Sequence, residues 1–346
     1  MEPTNSSRNW PFYVLAGLGT YCTWGRALLD GSLRHLFIAL HGPELYVLPG
    51  TRHHLQTSFT GVYWLINYFL DMLVIFFWEA IDGSHPATSV IGTYFLGQYL
   101  SILTVIYVDS LRTGNTAKAT LWLTVFQITA IGSTGAIWAI VYISTSPLAR
   151  DTISLHELHT ASLTPPDNVV TIIPSLAIGY ICTAIVMAFP SPRFILFSAL
   201  TSRAFKSTKP LKSHLSAVRF VYTVSGTISA VIHIAVVLTS LLTILFLMVF
   251  SPTYLSELSP WSLAIPLIFF TEGRTVGDGV VGLVMLRQYR CTYIATGTRF
   301  RWQKEVLRAA IVSVVGGPGV ACLSLSWRRD EILFGGEGEV EERKRK

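Results

Sequence analysis

The sequence predicts an all-α protein, a polytopic transmembrane helical bundle of about eight spans, seven to eight in all. Two observations carry that prediction. Of 346 residues, 51% are hydrophobic and only 13% charged, about half the charged share usual in a soluble domain. Apolar runs at 121–144, 169–189 and 217–250 are each long enough to cross a hydrocarbon core of roughly 30 Å at about 1.5 Å per helical residue. An ordinary water-soluble globule is excluded. The net charge of +6 does not call for a nucleic-acid partner, because the basic residues stand in short clusters between apolar runs and read as topology signals.

Spanning helices are expected at about 11–29, 59–80, 88–110, 120–144, 169–189, 217–250, 261–286 and 306–327. They form one integral-membrane domain over 1–346, with a polar N-terminus at 1–10 and a charged tail at 328–346. The first apolar stretch runs into Arg26 without a small-residue cleavage pattern, so no removable signal peptide is expected. Gly316-Gly317-Pro318-Gly319 interrupts the last segment. Connections after the odd-numbered segments carry fourteen Lys and Arg residues against Arg150 alone after the even-numbered ones. That asymmetry places the odd loops in the cytosol and the N-terminus on the other side, in a multi-pass protein of the endoplasmic reticulum. Asn5-Ser6-Ser7, a glycosylation sequon, fits an outside N-terminus. The tail disagrees, since eight spans would put Arg328, Arg329, Arg343, Lys344, Arg345 and Lys346 outside as well.

Ionisable groups inside spans are costly, so each is a functional candidate. In the second segment Asn67, Asp71, Trp78 and Asp82 fall within about 60° of one another on a helix, forming one polar and aromatic stripe, with Glu79 beside it. In the third, Tyr94, Gln98, Ser101, Val105 and Asp109 share a face and Arg112 lies one turn beyond Asp109. Residues three apart can pair, and a paired Asp109 would be a poor proton donor. The seventh segment holds Glu272, Arg274 and Asp278 among three glycines, which suits a cavity lining or a close helix contact, since irregular backbone is not tolerated against lipid. For each group the alternative is a structural one: a solvated helix end, an interfacial ion pair, or a contact seam.

No aspartate-rich Mg²⁺ cluster, Walker loop or G-x-S-x-G occurs, and Cys22, Cys182, Cys291 and Cys322 have no spacing that suggests a disulfide framework or a zinc site. Neither a metal nor another cofactor is expected. What remains is carboxylic acids among aromatics, among them Tyr63, Trp64, Tyr68, Phe69, Tyr99 and Tyr107. A ring face stabilises a carbocation without capturing it, and a buried acid can supply the starting proton. This is what proton-initiated terpenoid cyclisation or double-bond isomerisation requires.

The stretch Phe76-Phe77-Trp78-Glu79-Ala80-Ile81-Asp82-Gly83-Ser84-His85-Pro86, with Phe95-Leu96-Gly97-Gln98 and Asp109-Ser110-Leu111-Arg112-Thr113-Gly114-Asn115, resembles fungal membrane terpene cyclases of ascochlorin- and ascofuranone-type meroterpenoid pathways. Gly316-Gly317-Pro318-Gly319 and Trp327-Arg328-Arg329-Asp330-Glu331 are similar to that group too. The resemblance implies a cyclase that opens an epoxidised farnesyl chain on an aromatic core. Asp71, Glu79, Asp82 or Asp109 would give the proton, and Glu272 or Asp278 would complete the pocket or take the final proton. Asn67, Trp78, Tyr94, Gln98, Arg112 and Arg274 are the expected substrate contacts. The partners would be a hydrophobic prenylated small molecule and the lipid bilayer, with no nucleic acid. Two other readings are a non-catalytic transporter of a pathway metabolite and a sterol-isomerase-like enzyme.

Overall fold

The computed structural model describes residues 5–41 apart from 30, scattered positions between 47 and 78, and residues 86–113, 119–182, 214–245 and 273–345. Every element among them is helical. Helix α1 (Asn5–Thr20) runs on through a π-helical stretch, Tyr21–Gly25, and a last turn, Arg26–Leu29; α2 follows at Ser32–His41. Then come α3 (Pro86–Ser110), α4 (Ala119–Thr129), α5 (Ile131–Thr145), α6 (Leu155–Ser162) and α7 (Pro166–Cys182). The remaining helices are α8 (His214–Leu245), α9 (Gly273–Ala295), α10 (Trp302–Gly316) and α11 (Pro318–Arg345). One of them, over His214–Thr239, is both long and apolar enough to cross a membrane among the described residues.

Interhelical contacts give the directions. Tyr94 of α3 meets His233 of α8 and Thr104 meets Ser225, so these two helices are antiparallel. Gln98 meets Gly319 and Arg112 meets Asp330, so α3 and α11 run the same way. Helix α9 follows α11 in parallel, Asp278 beside Cys322 and Gln288 beside Arg329. Helix α5 lies parallel to α9, with Ile131 against Gly277 and Tyr142 against Gln288. Helix α1 lies along α5 with Gly19 against Gly132, so its N-terminus points toward the far end of α5.

Two expected spans are each folded back on themselves. The segment 120–144 breaks at Ala130, whose φ of 63° and ψ of 140° leave the helical region. The Ala130 carbonyl opens the next helix, accepting from the Ser133 and Thr134 N–H groups at 3.2 and 3.3 Å and from their hydroxyls at 3.0 and 3.1 Å. Phe126 and Trp138 meet edge to face at 6.4 Å, which makes α4 and α5 a hairpin. The segment 306–327 breaks at Gly317, with φ 94°, and Pro318 opens the next helix, where a missing N–H costs nothing. Arg328 pairs with Glu305 at 2.6 Å, so α10 and α11 are antiparallel. Each of these stretches therefore reverses direction where a single continuous helix was expected.

The reversals sort the charges. One end of the bundle holds Arg112, Arg150, Arg219, Arg287, Arg290, Lys304, Arg328 and Arg329, and the other holds the turns at Ala130 and Gly317. Arg150 joins the first group because α6 docks beneath α3: the Thr113 N–H donates to the Leu163 carbonyl at 3.1 Å and the Arg287 side chain donates to the Ala149 carbonyl. Ser154 and Glu157 start α6 with a reciprocal capping box, whose hydrogen bonds hold the Glu157 carboxyl below its usual range.

Candidate functional site

Two places in the bundle concentrate polar groups. Toward the turn end, α3, α8 and α11 approach through small residues. The Gln98 side chain donates to the Ser229 carbonyl at 2.8 Å and accepts from the Gly319 N–H at 3.1 Å. Ser229 donates to the Gly97 carbonyl at 2.6 Å, and Ser101 donates to Ser229 at 2.7 Å. A Cβ on Gly319 would stand 2.3 Å from the Gln98 carbonyl oxygen, so glycine is what lets α3 and α11 come together. Above this seam the Tyr94 hydroxyl lies 3.2 Å from His233 Nδ1, and His233 Nε2 is 3.0 Å from the Val314 carbonyl. Tyr94 and Gln98, expected to touch substrate, thus serve helix contacts here.

At the basic end four buried charges from two helices form a closed quartet. Asp109 Oδ1 accepts from Arg112 Nε at 2.7 Å and Arg329 Nη2 at 3.0 Å. Its Oδ2 accepts from the Tyr142 hydroxyl and the Gln288 amide, both at 2.9 Å. Asp330 accepts from Arg112 Nη2 through both oxygens, from Arg329 Nε at 3.2 Å and from the Tyr222 hydroxyl at 3.1 Å. Arg112 Nη1 spends its remaining bond on the Ser162 carbonyl at 2.6 Å. Two carboxylates balance two guanidiniums, and both lone-pair positions of each Asp109 oxygen are taken. A carboxylate so held has no proton to give, as the Asp109–Arg112 spacing suggested. Just outside, two hydrogen bonds from Arg219 hold the Glu331 carboxyl below its usual range.

Sequence reasoning placed Asp109 and Arg112 together but missed Arg329, Asp330, Tyr142, Tyr222 and Gln288. The first two belong to the charged tail at 328–346. The one signal for them was their place in the stretch Trp327-Arg328-Arg329-Asp330-Glu331.

Asp278 is buried on α9, close enough to Tyr99 for the two to interact electrostatically. The Tyr99 ring stacks on Phe95 at 5.4 Å and meets Tyr180 at 6.1 Å. This is an acid among aromatic faces, the combination expected of a carbocation site. Asp71 is buried elsewhere, and its Oδ1 has no hydrogen-bond partner among the described residues. Its neighbours Met72, Val74, Ile75 and Trp78 belong to a cluster with Leu33, Leu36 and Leu40 of α2, separate from the main core. Asn67 is half-buried, its N–H bonded to the Tyr63 carbonyl at 3.0 Å. Of the expected stripe on this segment, Asn67, Asp71 and Trp78 lie among the described residues, and no hydrogen bond joins Asp71 to the quartet. Glu79, Asp82 and Glu272 lie outside the described residues, and of Arg274 only the backbone is described.

Among the described residues the protein is an all-helical bundle with carboxylates buried between close-approaching helices. The chain belongs to the CtvD domain family, matching that domain over residues 39–205 and 193–334. It is 30% identical to terpene cyclase ctvD of Aspergillus terreus over 126 residues, 34% of this chain and 35% of that protein. Across 93% of this chain and 91% of the relative it is 25% identical to terpene cyclase ascI of Acremonium egyptiacum. The chain thus spans about a third of the first relative and nearly all of the second. No solved structure matches it. The resemblance read from the residues is borne out.

Proposed function

We propose that the protein is a terpene cyclase of meroterpenoid biosynthesis. It protonates the epoxide of a farnesyl chain carried on an aromatic core, lets the cation close rings, and returns a proton to the medium. Proton gain and loss balance, so the reaction is an isomerisation that needs no redox partner. Family membership and the near full-length likeness to ascI support the activity. The observation that carries the chemistry is the contrast between two buried aspartates. Every oxygen position of Asp109 is occupied, whereas Asp71 Oδ1 has no donor among the described residues and can meet a substrate oxygen. Asp71 is accordingly the proton donor in this reading, and Asp278, beside Tyr99, faces the developing cation.

The same reading makes the protein multi-pass in the endoplasmic reticulum, with its basic end cytosolic. Apolar side chains left bare on outer helix faces support it, among them Val231, Leu238, Leu307, Val314 and Val315. Because α1 starts toward the basic end, the N-terminus then lies on the cytosolic side, the reverse of what loop alternation implied. Helix α11 returns the tail to that side as well, which removes the conflict over its arginines and lysines.

The test is incubation of microsomes containing the protein with an epoxyfarnesyl phenol, followed by product analysis. Cyclic isomers of unchanged mass are expected, in EDTA as in its absence. Unaltered substrate throughout would refute the reading, and loss of product in EDTA restored by Mg²⁺ would refute its metal-free chemistry.

A further inference from the structure

An open surface groove with about 580 Å³ of accessible space lies between the Arg26–Leu29 turn and α2, outside the aspartates treated above. Leu28, Leu33, Arg34, Phe37, Ile38 and His41 line it. Four of these side chains, Arg34, Phe37, Ile38 and His41, stand at the i, i+3, i+4, i+7 positions of one helical stripe. The face of α2 that carries Leu36 and Leu40 is already covered by Met72, Ile75 and Trp78, so this stripe is a second one, exposed among the described residues. Phe37 is 44% and Ile38 55% exposed, and the adjoining Leu28 is 65% exposed.

The composition specifies a ligand. Its volume lies within the range of sites that hold a small organic molecule, roughly 300–1,000 Å³. Its walls are apolar at Leu28, Leu33, Phe37 and Ile38. Arg34 adds a permanent positive charge in a forked geometry that fits an oxyanion. It forms no ion pair among the described residues. His41, one stripe position beyond, stacks its ring against Tyr68 at 5.5 Å and places Nε2 3.2 Å from the Tyr68 hydroxyl. Tyr68 stands three residues before Asp71 on the same segment.

We infer that this groove is a binding site for the acidic aromatic end of the substrate, an ionised phenol or aromatic carboxylate whose oxygen pairs with Arg34 and His41 while its long apolar tail extends along Phe37 and Ile38. The inference rests on the cyclase reading for the identity of the ligand, and it assigns a recognition role to residues that carry none of the chemistry. Exposed Leu28 and Leu29 beside the mouth let the tail arrive from lipid without crossing water.

The experiment uses the full chain in microsomes and a farnesyl phenol without an epoxide, bearing a diazirine on its ring. Because that probe cannot react as a substrate, its result is independent of turnover. Crosslinking to the peptide 28–41 is expected, reduced at least tenfold for the O-methyl ether of the probe and for Arg34→Gln, and restored in Arg34→Lys. With the epoxidised substrate, Arg34→Gln should raise KM about tenfold and leave kcat near the parent value. Labelling confined to other peptides, equal labelling by phenol and ether, or competition by phosphatidic acid but not by unlabelled farnesyl phenol would each overturn the proposal, the last by making the groove a lipid site. Specific labelling at 28–41 without any cyclised product would instead leave this site standing and remove the cyclase reading.

Discussion

Arg112 and Asp330 are 218 residues apart in sequence and face each other through two hydrogen bonds of 3.0 and 2.9 Å, both side chains fully buried. The pair ties the end of α3 to the C-terminal helix, and Asp109 with Arg329 makes the same tie a second time. Removing water from four charges is expensive, and only their mutual pairing offsets it. The quartet therefore fixes how α11 sits against α3 and α9 at one end, and the Gly319 N–H bond to Gln98 holds α11 on α3 at the other.

Breaking one partner strands the other. Asp330→Leu or Arg112→Leu alone should cost about 3–5 kcal/mol, whereas the double variant removes charge in balance and should cost markedly less than the sum. Thermal unfolding of the four proteins in detergent checks this. Additive losses would show that the two residues stabilise the bundle independently.

Asp71→Asn and Asp109→Asn should fail in different ways. The first removes a proton donor and is expected to lower turnover by about 100- to 10,000-fold with normal yield and membrane extraction. The second weakens the quartet and should lower the amount of folded protein, with turnover per folded molecule far less affected. Measuring folded protein and product together separates them. A stable Asp109→Asn protein without activity would return the acid role to the third helix.

Part of this was legible in the sequence and part was not, for identifiable reasons. Gln98, Ser101 and Asp109 of the expected stripe are buried and Tyr94 half-buried, because polar side chains that pair with neighbouring helices recur at helical spacing. The break at Ala130 leaves little: its positive φ falls on an alanine rather than a glycine, and Gly132, Ser133 and Thr134 just beyond it are residues that continuous helices also carry. Arg329 and Asp330 were hidden by reading the tail's basic residues as a topology signal, which cannot register that one arginine reaches a carboxylate 220 residues away. The aspartate of the second segment was recognisable as costly, but that no hydrogen bond joins it to the quartet is a tertiary fact without a local signature.

Gly317 offers a test of the second turn. Its φ of 94° with ψ of 161° belongs to a region that is essentially glycine's own, and a Cβ there would lie 2.2 Å from Gln98 Oε1. Gly317→Ala should lose about 1–3 kcal/mol to backbone strain and more from displacing the buried Gln98 amide. Gly279→Ala in α9 is the control: nothing lies within 4 Å of its added methyl, and the helix gains up to about 1 kcal/mol from alanine. Equal melting temperatures for the two variants would contradict the hairpin geometry.

The hairpins also predict sidedness. In a bundle of single crossings, the connection at 146–154 would lie opposite the loop around Arg112. In this fold Arg112 bonds the Ser162 carbonyl and Arg287 bonds the Ala149 carbonyl, which puts both on one end together with Arg301, Glu305 and Arg328. A physical end of the bundle cannot be divided between two sides of a membrane. Short protease-cleavable tags in 146–154, in 296–301 and after Lys346 should therefore be cut together by protease added to sealed microsomes, on the proposed topology in which the Arg- and Lys-rich end is cytosolic. Because α1 also begins toward that end, Asn5 should stay unglycosylated despite its sequon and should acquire no endoglycosidase-sensitive mass. Protection of the 146–154 tag alone would restore a single crossing between Ala119 and Thr145. Glycosylation at Asn5 would show that α1 runs the opposite way in the membrane.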